Sequence, residues 1–200
     1  MITAKLQNFK ARREGIVLVP YRDRGVWSVG CGHAIGKERP ASWPKVTIQS
    51  AIQLLKQDIL ERWSRIEKAV KVPLAQHKKD ALLDTYYQGG NDGLDATVAI
   101  INDRDPDDKD SCLTSDREAA RELLQWDTAA DGTHLEGLLK RCGLRVAMYT
   151  AEEYGSDLNQ IPYWERVDEA TGRPVTKEML WYKVQPGDFV DFEPPQKKRT

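Results

Sequence analysis

EGIVLVPYRDRGVWSVGCGH, residues Glu14 to His33, holds two acids nine positions apart, a hydroxyl at Ser28 and a Gly-x-Gly-His end. Val17, Val19 and Tyr21 alternate, and Val26, Trp27 and Val29 follow an Arg24-Gly25 turn, so the middle reads as a β-hairpin. Lys10, Arg12 and Arg13 precede it in a short polar segment with Leu6 and Phe9 on one side, which suits a helix. Glu14 therefore falls where a helix ends and a small sheet begins. Asp23 falls at the first turn of that sheet.

Such a pair can divide acid and base work. Cleaving a glycosidic bond takes one protonated carboxyl for the leaving oxygen and a second, ionised group on the other face of the sugar. A Glu at a helix C-terminus lies near the negative end of the macrodipole, which disfavours its charge. Asp23 on an open turn is under no such pressure and stays ionised. Environments that separate two carboxyls in this way mark acid and base roles. Spacing alone is weak support in a chain with 31 acidic residues, most of which are solvated surface.

The chain of 200 residues is long enough for one domain, in one or two lobes, with a sizeable core. Charged residues make up 30% and apolar ones 40%, an ordinary globular balance. The net charge of −1 implies no long-range attraction to nucleic acid or membrane surface. Cys31, Cys112 and Cys142 are odd in number and unpaired in spacing, so they read as thiols rather than a disulfide framework. Nothing in their spacing suggests a metal site, and no cofactor is implied. The opening MITAKLQNFKARREG lacks the apolar core of a signal peptide. The expectation is synthesis in the cytoplasm, as a whole protein or part of a longer one. No apolar run approaches transmembrane length.

Farther along, Thr47 is a candidate N-cap for a helix whose apolar stripe is Ile48, Ile52, Leu55, Ile59, Trp63, Ile66 and Val70. Val72 to Gln88 reads as a second helix stopped by Gly89-Gly90, and 94–102 as a short apolar one. Residues 103–114 read as an acidic, solvated loop without the glycine and glutamate of a calcium loop. Ser115-x-x-Glu118 and Thr133-x-x-Glu136 have capping-box form, predicting helices over about 116–126 and 134–153. The second is expected to bury Leu135, Leu138, Leu139, Cys142, Val146 and Tyr149. The tail from about Gly155 holds Tyr163, Trp164, Trp181, Tyr182 and Phe189, too many aromatics for a disordered linker. It reads as an extension packed on the domain or as a small wall- or partner-binding addition, with 193–200 frayed.

Glu14-Gly15, Tyr21-Arg22-Asp23 and Ser28-Val29-Gly30-Cys31-Gly32-His33 together resemble the signature of the phage-type lysozymes, the endolysins. Ser28 stands at that family's threonine position, and the turn from Asp23 to Ser28 is about one residue shorter. Three further places match in order: Leu55-Lys56-Gln57-Asp58-Ile59, Pro73-Leu74-Ala75-Gln76 with Tyr87-Gln88-Gly89-Gly90, and Gly137-Leu138-Leu139-Lys140-Arg141 with Tyr149. The resemblance covers residues 1–153. It implies an α+β, lysozyme-like fold, mostly helical. A small β-subdomain at about 15–45 would join by a long helix to a helical lobe at about 73–153, with 154–200 as the extension and the active site in a cleft.

By the same resemblance the chain is a muramidase that hydrolyses the β-1,4 bond from N-acetylmuramic acid to N-acetylglucosamine in peptidoglycan. Glu14 is the general acid, and Asp23 with Ser28 positions the attacking water. Gln88 and Tyr87 are candidates to contact substrate, with helix capping the alternative for Gln88. Either Arg141 or Arg145 is expected to tune the acid, with a solvent-facing role the alternative for each. His33 is expected to pair structurally with Asp58. The chain would act as a monomer on the wall in the periplasm, after release or delivery. Alternative readings are a lytic transglycosylase, which needs neither Asp23 nor Ser28, and a non-catalytic peptidoglycan-binding module. An antibacterial toxin domain would share the chemistry and need an immunity protein as partner.

Overall fold

Thr3 starts α1 (Ala4–Glu14) by accepting the Leu6 amide hydrogen bond on its hydroxyl. This satisfies one of the orphan donors of a helix start. The helix ends at Gly15, with φ 70° and ψ 173°, whose amide returns to the Ala11 carbonyl. A Cβ at Gly15 would lie 2.6 Å from Trp164 Cζ3. Conformation and close approach both demand glycine there. The described residues of this computed structural model are 1–23, 25–42, 46–126 and 136–194.

From Gly15 the chain enters a meander of β1 (Ile16–Asp23), β2 (Val26–Gly30) and β3 (His33–Gly36), all antiparallel. After the helices the chain returns to add β4 (Gln160–Trp164), parallel to β1, and β5 (Leu180–Lys183), antiparallel to β4. The order is β3-β2-β1-β4-β5. The sheet thus extends beyond the 15–45 region read from sequence, and two of its five strands come from the extension. Pro162 lies within β4 opposite Trp181, although proline removes a ladder donor.

β1 also departs from simple alternation. Ile16, Val17 and Leu18 are all buried. Val17 pairs with Gly30 and Tyr21 with Ser28, so β1 spends four residues where β2 spends two. Pro20 lies in this bulge and cannot donate to the ladder.

Two units partition the chain. One comprises Ile2–Leu60 and Ser156–Pro195, and the other is mainly Glu61–Gly155. α2 (Ile48–Ala69) starts where Thr47 Oγ1 accepts from the Ser50 amide, while the Ser50 hydroxyl accepts from the Thr47 amide. Its stripe is buried from Ile52 to Ile66, while Ile48 and Val70 at the ends are half-buried and Val70 lies beyond the helix. Ala51, Ile52, Leu55 and Ile59 belong to the sheet unit, and Trp63 and Ile66 to the helical unit.

The helical unit holds α3 (Gln76–Asn102), α4 (Lys109–Leu124) and α5 (Glu136–Ala151). α3 merges the two helices read at 72–88 and 94–102, but its backbone breaks at Gly90, with φ 63° and ψ −150°. Only glycine takes that conformation at low cost. α4 corrects the start read at Ser115. Asp108 caps it by accepting the Asp110 amide, and the Ser115 hydroxyl, a full turn and more inside, donates to the Ile100 carbonyl. α5 buries Cys142, Arg145, Met148 and Tyr149, while Leu139 is exposed. The stripe shifts because Arg145 turns inward to a buried carboxylate. Thr133 of the capping box, Leu135 and residues 195–200 of the 193–200 end lie outside the described residues.

Candidate active site

The sheet unit gathers the residues around Glu14. Glu14 is the last residue of α1, and Lys10, one turn earlier, places Nζ 3.0 Å from its Oε1. Lys10 is fully buried, while the Glu14 side chain retains 24% exposure. An ammonium in hydrogen-bond contact favours the carboxylate form. It opposes the half-charge of the helix end, which disfavours that form.

Register places the second group of residues. Tyr21 pairs with Ser28 and Asp23 with Val26 across β1 and β2. Opposed residues share a face and alternate residues return to it, so Tyr21, Asp23, Val26 and Ser28 lie on one side of the hairpin. Asp23 and Ser28 are diagonal neighbours on that face, at a Cα separation of about 7–8 Å. Asp23 is exposed and Ser28 is buried. Arg22 and Trp27 form the pair on the reverse side.

Tyr21 connects the two acids electrostatically. Burial, then the carboxylates of Asp23 and Glu14, hold its phenol well above the ordinary value. It is therefore a neutral hydroxyl at working pH, within the field of both acids. Cys31 is buried within the field of Glu14 and near Tyr21. Burial, then the Glu14 carboxylate, push its thiol far up, so it is an inert thiol rather than a nucleophile. The sequence reading passed over Lys10 and Tyr21 as site residues. Lys10 was detectable as the i−4 partner of Glu14, and Tyr21 as the residue one alternation before Asp23. His33 Nδ1 lies 3.1 Å from Asp58 Oδ1, joining β3 to α2 within the same unit.

The remaining candidates belong to the helical unit. Asp84, fully buried, accepts from Arg145 Nε at 3.1 Å and from Arg141 Nη2 at 2.8 Å. Arg145, also fully buried, donates from Nη2 to Gln88 Oε1 at 2.6 Å. Gln88 Nε2 in turn donates to the Trp126 carbonyl at 3.0 Å. These bonds leave at most one Gln88 amide hydrogen for a ligand. The Arg62 guanidinium lies 4.2 Å from the Tyr87 ring centroid. Among the described residues no group of three or more His, Cys, Asp or Glu side chains is gathered as for a metal ion. No helix among them is long and apolar enough to cross a membrane.

The fold is the α+β lysozyme-like one. The endolysin of Escherichia coli O157:H7 phage FAHEc1 superposes with a TM-score of 0.61 at 23% identity, over 76% of this chain and 94% of that one. The muramidase domain of SpmX from Asticaccaulis excentricus gives 0.59 at 22%, over 74% and 95%. A P22 lysozyme variant gives 0.58 at 24%, over 76% and 100%. Residues 11–143 match the phage lysozyme family model, and the chain belongs to that family. The endolysin of Salmonella phage P22 is 30% identical over 92 residues, which are 44% of this chain and 63% of that relative's length.

Proposed function

We propose that the chain is a peptidoglycan hydrolase. It cleaves the β-1,4 bond between N-acetylmuramic acid and N-acetylglucosamine, as the endolysin and muramidase names of its relatives suggest. The observation that carries the reading is the arrangement around Tyr21. A helix-terminal Glu14 and a hairpin-borne Asp23 both act on one phenol, and Ser28 shares the face of Asp23. Glu14 donates the proton to the leaving oxygen. Asp23, open to solvent, and the Ser28 hydroxyl hold the attacking water on the far side of the sugar, which gives inversion. The substrate lies in the cell wall, where the chain acts after release or delivery.

The test is clearing of purified cell walls, with analysis of the product ends. Hydrolysis produces reducing ends, whereas a transglycosylase produces anhydro ends. Asp23→Asn should lose about 10²-fold or more, the scale of a positioned base. Ser28→Ala should lose only about 0.5–1.5 kcal/mol, one neutral hydrogen bond. Normal clearing by Asp23→Asn, with anhydro products, would transfer the chemistry to Glu14 alone.

Lys10 offers a second check on the acid. Lys10→Met keeps length and apolar bulk but removes the cation 3.0 Å from Glu14. Protonation of Glu14 then becomes easier, so the basic limb of the pH profile of kcat/KM should move to higher pH. A basic limb that stays in place or moves to lower pH would show that the limb does not report Glu14.

A further inference from the structure

The extension after residue 155 lies beyond the stretch matched by the family model, which ends at residue 143. Two of its contacts lie beside the proposed acids, one at each. Trp164, at the end of β4, lies over Gly15, the residue after Glu14, leaving no room for a Cβ. The Gly172 carbonyl accepts the Arg22 amide hydrogen at 2.7 Å, next to Asp23. Gly172 is buried although its neighbours Thr171 and Arg173 are exposed, because it sits against Arg22 Cβ and the Trp27 ring. It thus grips the hairpin from the face opposite Asp23.

The need for such a grip lies in β1. The ladder between β1 and β2 is interrupted from Val17 to Tyr21 by the bulge that contains Pro20. Glu14 stands before that interruption and Asp23 after it. β4 pairs with Ile16 and Val17 on one side of the gap, and Gly172 catches Arg22 on the other. The extension is itself anchored to the start of the chain. Ile2 exchanges backbone hydrogen bonds with Phe192, Gln7 Nε2 donates to the Val190 carbonyl at 2.7 Å, and Asn8 Nδ2 donates to the Leu158 carbonyl at 2.8 Å.

The gripping loop is internally built. The Val167–Pro174 bridge closes it, Asp168 N donates to the Arg173 carbonyl, and Gly172 N donates to the Asp168 carbonyl. Asp168 Oδ1 accepts from the Thr171 amide at 2.8 Å and the Thr171 hydroxyl at 2.9 Å. We propose that the extension is a positioning element for catalysis: Trp164 over Gly15 and Gly172 on Arg22 together span the β1 bulge and hold Glu14 and Asp23 at the separation the reaction needs. This rests on the assignment of Glu14 and Asp23 above. Inversion requires the carboxyl groups to stay about 6.5–9.5 Å apart, with a water between.

The test uses the full chain with Asp168→Ala, Asp168→Asn, Trp164→Ala and Trp164→Phe. Each variant is measured for kcat and KM separately and for melting temperature. Asp168 is exposed, so its variants fold and keep the test valid even if Trp164→Ala does not. Asp168→Ala should lower kcat on the order of ten-fold with little change in KM, because sub-ångström misplacement of reacting groups costs rate. Asp168→Asn keeps an oxygen for Thr171 and should restore kcat. Trp164→Phe should retain more kcat than Trp164→Ala. Wild-type kcat in folded Asp168→Ala and Trp164→Ala would overturn the proposal. So would a loss that only follows the unfolded fraction and disappears on cooling. Glu14→Gln, run in parallel, separates the two levels. If it is fully active, the site assignment itself fails. If it is inactive, the Asp168 and Trp164 results judge the brace alone.

Discussion

Glu14→Gln is expected to reduce wall lysis by about 10²–10⁴-fold, the usual contribution of a positioned general acid, while leaving the fold in place. The amide matches the carboxyl in shape, and its oxygen still accepts the Lys10 hydrogen bond seen at 3.0 Å. What disappears is the transferable proton. The charge balance of fully buried Lys10 changes as well, so a moderate fall in melting temperature should accompany the loss. Circular dichroism and a melt at the assay temperature separate the two effects. A folded Glu14→Gln protein with substantial lysis would remove Glu14 from the mechanism. An unfolded one would be uninformative, and Glu14→Asp, which keeps the acid on a shorter arm, then becomes the variant to compare.

Asp84→Ala should be the most damaging single change in the helical unit, costing about 3–5 kcal/mol. Asp84 and Arg145 are both fully buried, with Arg145 Nη2 3.0 Å from Asp84 Oδ2. Arg141, 15% exposed, holds the other carboxylate oxygen at 2.8 Å. Removing the acid leaves a buried guanidinium without its counter-charge, which costs far more than the net worth of the pair. The effect should spread to Gln88, whose Oε1 depends on Arg145. Domains carry only about 5–15 kcal/mol of stability, so the informative comparison is Asp84→Asn, which keeps the hydrogen-bond acceptor and should cost less. Chemical denaturation measures both. A loss under about 1 kcal/mol for Asp84→Ala would mean that the arginines find solvent readily and that the network is not a core element.

The candidate site was largely legible because its spacing is local. A helix that ends at Glu14-Gly15, a hairpin with Asp23 at its turn and a hydroxyl on the returning strand all follow from a few neighbouring residues. The α2 stripe was legible for the same reason. Where local signals competed, sequence misled. Asp108 and Ser115 are both good caps, and the structure uses Asp108, with Ser115 inside the helix donating its hydroxyl to the Ile100 carbonyl. Leu139 looked like core, yet Arg145 takes the buried side because Asp84 waits there.

By itself, then, the sequence determined the end of α1 at Glu14, the turn between β1 and β2 and the helix break at Gly89-Gly90. Each depends on backbone conformation and hydrogen bonds within a turn or one hairpin. Tertiary structure alone decided the burial of Lys10 against Glu14, the Asp84 network and the addition of β4 and β5 to the sheet. Ile16 meets Tyr163 in parallel pairing across most of the chain. No short-range pattern encodes that contact, because a parallel partner and a buried counter-charge are selected by packing after the chain has folded back on itself.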